Sequence, residues 1–70
     1  MSEFNVSNET KKAILTQRLG ELNIEGYNNE IALNHAKSVD NAEQITNSES
    51  TIQLIKSVIK TLEEELAKLD

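Results

Sequence analysis

The sequence predicts an all-α fold: an antiparallel two-helix hairpin of the coiled-coil type that dimerises into a four-helix bundle. Three observations predict it. Apolar residues recur at alternating steps of three and four in both halves of the chain. The two stripes are out of phase, with the mismatch at Ser38-Val39-Asp40-Asn41. The chain has 70 residues, no cysteine and 3% aromatics. Below roughly 70–80 residues one core seldom supplies more than about 3–5 kcal/mol, so helix packing and self-association must carry the stability.

Residues 1–7 read as a flexible arm, with Phe4 and Val6 as its large apolar groups after Met1. Ser7 or Asn8 can cap the first helix by accepting a hydrogen bond from a free backbone N–H of the first turn. Glu9 then suits the positive helix end. The first helix is expected over about 8–37. Its stripe is Leu15, Leu19, Leu22, Gly26, Asn29, Leu33 and Ala36. A turn over about 38–40 follows, with Asp40 and Glu43 at capping-box spacing. The second helix is expected over about 41–69, on the seam Ile45, Ser48, Ile52, Ile55, Ile59, Leu62, Leu66 and Leu69. Only Ser48 is polar in that row. Glu64 and Lys68 stand at i,i+4 in the favourable order. One long helix with a stutter is the competing architecture, because neither Gly nor Pro breaks the chain at the phase change.

A hairpin makes a pairing prediction: seam partners have numbers that sum to 81. Leu66 then faces Leu15, Leu62 faces Leu19 and Ile59 faces Leu22. Ile55 faces Gly26, Ile52 faces Asn29, Ser48 faces Leu33 and Ile45 faces Ala36. Large opposite small suits interdigitated packing, and close approach by Ile55 accounts for Gly26. Gly20 lies beside the seam and has no account at this level. One partner helix cannot cover Leu54 and Val58 on the second helix, or Tyr27 and Ile31 on the first, where Ile24 leads into the track. These four are the candidate partner surface.

No catalytic, cofactor-binding or metal-ligating residues are expected. His35 is the only histidine, and no thiol or second imidazole completes a transition-metal site. Glu63-Glu64-Glu65 point in different directions around a helix and read as a solvated face. Glu21 and Glu25 share a face without a third ligand. No Gly-rich phosphate loop and no base spaced to activate a Ser or Thr are present. The chain is therefore not expected to be an enzyme.

Seven basic against twelve acidic residues give a net charge of -5, which argues against direct nucleic-acid binding. No apolar run is long enough to cross a membrane. The start Met-Ser-Glu-Phe-Asn lacks a positive segment with an apolar stretch behind it, so a cytoplasmic rather than secreted protein is expected. The segment Gln17-Arg18-Leu19-Gly20-Glu21-Leu22-Asn23-Ile24-Glu25-Gly26-Tyr27, with the later heptads ending Leu62-Glu63-Glu64-Glu65-Leu66-Ala67-Lys68-Leu69, resembles small phage-encoded coiled-coil proteins of unassigned role. The resemblance implies a viral accessory protein that binds a virion component or a host protein. It carries no catalytic motif. The expected function is a non-enzymatic interaction or assembly module, whose partner is itself, another protein, or both. The alternative is a small acidic inhibitor that occupies a basic, nucleic-acid-binding surface of a host protein. Its acidic excess lies in the arm, with Glu3 and Glu9, and in the second helix, where Glu43, Glu49, Glu63, Glu64, Glu65 and Asp70 outnumber Lys56, Lys60 and Lys68.

Overall fold

The structure, a computed structural model, describes residues 4–69. Residues 1–3 of the expected arm and residue 70 lie outside it. Two helices carry the chain: α1 (Asn8–Ser38) and α2 (Ala42–Ala67). They pack against each other as a hairpin of 49 × 18 × 17 Å. The competing single rod is thereby excluded.

The reversal between the helices has a specific backbone chemistry. Val39 leaves the helix at φ -109, and Asp40 adopts φ 53, in the left-handed region. Two hydrogen bonds then close the end of α1. Asn41 N–H donates to the Ala36 carbonyl at 3.0 Å, and Asp40 N–H donates to the Lys37 carbonyl at 3.3 Å. This is the Schellman arrangement, which satisfies carbonyls that a helix end otherwise leaves open. Glycine usually takes the left-handed position; Asp is among the few other residues that visit it, at a cost. Asp40 therefore ends the first helix and does not cap the second. The cap is Asn41, whose Oδ1 accepts from Gln44 N–H at 3.1 Å. Asn41, not Asp40, thus has the N-cap geometry, and α1 runs one residue beyond the expected boundary.

The outer ends follow the same logic. Ser7, at φ -66 and ψ 153, caps α1 by accepting from Thr10 N–H at 3.2 Å. At the other end Lys68 N–H is shared among the carbonyls of Glu64, Glu65 and Leu66, and Leu69 N–H donates to the Leu66 carbonyl at 3.1 Å. The last turn is tightened, so Leu69 stands in a turn and not in the helix.

Burial traces the seam. Leu15, Leu19, Leu22, Leu33, Ile45, Ile52, Ile59, Leu62, Leu66 and Leu69 are half-buried, and Ile55 is buried. Full burial is restricted to Ala36, Ser48 and Ile55 among the described residues. A single interface covers each side chain from one direction only, so complete enclosure occurs where a small residue lets the backbones approach. Gly26 illustrates this: a Cβ there would meet Ile55 Cγ2 at 3.7 Å, an ordinary contact. The helices do meet at this layer, but there is room for a methyl group, so close approach alone does not require glycine.

The polar seam residues are satisfied within their own helices. Ser48 Oγ accepts from Gln44 Nε2 at 3.0 Å, and Asn29 Nδ2 donates to the Glu25 carbonyl at 2.9 Å. Neither bond crosses the interface. They remove the desolvation penalty of a polar group in the seam without tying the helices together.

Two stability tests follow from this geometry. Asp40→Gly should raise stability by about 0.5–1 kcal/mol, since glycine takes the left-handed region freely. Thermal melts followed by circular dichroism read this as an upward shift of a few degrees; a lower midpoint would contradict the turn assignment. Gly26→Ala should gain about 0.5–1 kcal/mol through helix propensity, whereas Ile55→Ala should cost about 2–5 kcal/mol. A lower midpoint for Gly26→Ala would mean that the Gly26/Ile55 layer has no spare volume.

Candidate interaction surface

The hairpin has two broad faces, and the expected partner surface divides between them. On one face a groove of about 170 Å³ is lined by Asn23, Tyr27 and Glu30 of α1 and by Lys56 of α2, with Gly26 and Ile55 at its floor. On the other, at the open end, a groove of about 340 Å³ is lined by Phe4, Val6, Lys11, Ile14, Leu15, Glu65 and Leu69. Val58 lies one heptad, two helical turns, before Glu65 on the same side of α2, with Leu54 one turn further. Leu54 and Val58 therefore occupy the face opposite the Tyr27 groove. The four residues do not form one patch.

The two tracks also differ in exposure. Ile24, Tyr27 and Ile31 are 66%, 64% and 50% exposed. They follow steps of three and four, as a seam does. At 100° per residue Ile24 and Ile31 lie far around α1 from the seam, whereas Tyr27 reaches the edge of the groove shared with α2. On α2, Leu54 is 65% exposed but Val58 is half-buried at the edge of the interface. The α1 row is the longer and more open of the two.

Ile14, Phe4 and Val6 form an apolar cluster that the heptad reading passed over. All three are exposed and line the open-end groove. Ile14 follows no seam spacing. Only its adjacency to Leu15 and the apolar residues of the arm hinted at a shared location.

Charged groups do not converge on a reaction centre. Among the described residues no group of three or more His, Cys, Asp or Glu could hold a metal ion. Nor, among the described residues, is any helix long and apolar enough to cross a membrane. His35 is exposed on the last turn of α1. Glu63, Glu64 and Glu65 are exposed as a solvated face. The expected Glu64–Lys68 pair is not the one formed: Lys68 Nζ reaches Glu65 Oε1 at 3.2 Å, an i,i+3 contact. Both side chains are more than half exposed, so the pair contributes little. Lys11 and Glu65 both line the open-end groove.

Comparison with protein-family models, with curated proteins and with solved structures finds no match to this chain.

Exchanging exposed acids should therefore leave the fold intact. Glu63→Gln with Glu64→Gln should hold or raise stability by a few tenths of a kcal/mol, because acids near a helix C-terminus oppose its dipole. Urea melts would detect a change of that sign. A loss above about 1 kcal/mol, far outside what surface substitutions usually cause, would show that these acids hold the hairpin together.

Proposed function

We propose that this chain is a non-enzymatic protein–protein interaction and assembly module that associates with itself as a dimer of hairpins, a four-helix assembly. The observation that carries this reading is surface area. The chain exposes 5513 Å². A compact monomer of its 7.8 kDa mass would expose about 4,400 Å². The surplus of about 1,100 Å² exceeds the roughly 800 Å² that each partner gives to a standard interface. It arises because a single pair of helices has no second layer. The half-buried seam and the outer apolar tracks are the surface that a second layer would cover.

The resemblance to small phage-encoded coiled-coil proteins supports an accessory role of this kind in a viral setting. Occupying a basic host surface draws less support. Lys68 pairs with Glu65, so the acidic end of α2 is partly answered within its own helix.

Light scattering behind a sizing column, run from micromolar to near-millimolar protein, should give twice the monomer mass, and the melting midpoint should rise with concentration. A monomeric mass throughout, with a midpoint independent of concentration, would overturn the reading.

A further inference from the structure

We propose that the turn over residues 39–41 is a strained hinge, and that two copies of the chain exchange limbs across it, so that α1 of each packs on α2 of the other. This goes beyond a dimer of closed hairpins. It uses the seam already described and needs none of the outer surface.

The turn is the first argument. Asp40 stands at φ 53, a left-handed backbone that side chains bearing a Cβ disfavour, in a connection that contains no glycine. Three residues must both close α1 and cap α2. Short hinge loops under strain favour exchange between copies over closure within one. Opening releases the Asp40 conformation once per copy. It gives up two turn hydrogen bonds, whose donors at Asp40 and Asn41 belong to exposed residues.

The independence of the limbs is the second. Ser7 caps α1 and Asn41 caps α2, so each helix carries its own cap when the two part. The hydrogen bonds of Ser48 and Asn29 return to their own helices. What parting removes is apolar contact, such as that of Ile55 with Gly26. A copy restores it residue for residue. Its α2 presents the same row to α1, and the two composite hairpins are equivalent by two-fold symmetry.

The phase change is the third. From Ala36 to Asn41 a continuous helix would turn through five residues, which sets the two apolar rows about 140° apart. The opened chain therefore keeps a break at residues 39–41 and does not straighten into one rod. Closure within a chain competes at an effective concentration on the order of millimolar for a short linker. Exchange is accordingly the concentrated state, and strain at Asp40 brings its onset lower.

The test uses spin labels, which the absence of cysteine makes selective. Thr16→Cys with Glu64→Cys places two labels at exposed positions on opposite limbs, at the end away from the turn. The doubly labelled chain is melted and cooled with excess unlabelled chain, at about micromolar and at about millimolar protein, bracketing the closure threshold. A closed hairpin holds the labels at the spacing of neighbouring helices, about 10 Å between axes. An exchanged chain parts them toward about 70 Å, the rise of the intervening residues. The long distance should appear in the concentrated sample, in the dimer fraction of a sizing column. Asp40→Gly relaxes both hinges of a closed pair and should raise the dissociation constant of the exchanged dimer about ten-fold. Asp40→Ala, less at ease in the left-handed region, should lower it. A dimer with only the short distance would overturn the exchange and leave the assembly reading standing. A long-distance population indifferent to both substitutions would overturn the hinge. A monomer at every concentration would remove both readings.

Discussion

Everything in this molecule depends on having one helix–helix interface and no second. Two helices enclose a line, not a volume. Side chains along that line are covered by the opposite helix and left open above and below. This explains why ten of the eleven large apolar seam residues are only half-buried, and why Ala36, Ser48 and Ile55 are the fully enclosed ones among the described residues. Small side chains admit close backbone approach, and Ile55 is the large residue enclosed among the described ones. The seam can align the helices, but it cannot by itself form a dry core of the usual kind.

Alignment is set mainly by size and by the turn. Ser48 and Asn29 stand in the seam, yet their hydrogen bonds return to their own helices. They cost little and bind nothing across. The reversal does more to specify the pairing. Its left-handed Asp40, the two bonds closing α1 and the Asn41 cap opening α2 leave a connection of three residues. A connection that short dictates which residues meet first, and the register follows from there. Enclosure is accordingly densest near the turn and at mid-hairpin, at Ala36, Ser48 and Ile55. The open end carries half-buried leucines and an exposed apolar groove. Local opening should begin there, where few contacts oppose it.

The same geometry leaves most side chains at the surface. Polar groups are spread along the outside of a rod and converge nowhere. Apolar groups, in contrast, are organised: one row faces the partner helix, and a second row with the same stepping runs along the back of α1.

The amino-acid sequence by itself determined that the chain is helical, that it breaks near residues 38–41 and that its apolar rows step by three and four. These properties are local or periodic, and spacing along the chain encodes them directly. Tertiary structure decided three other things. It separated Tyr27 and Ile31 from Leu54 and Val58, because the face a residue joins depends on how the second helix is turned against the first. It made Asp40 the end of one helix instead of the start of the next, since the two helix ends compete for the same short turn and backbone hydrogen bonds resolve the competition. It gathered Phe4, Val6 and Ile14 beside Leu69, residues that no periodicity connects and that only the return of the chain brings together.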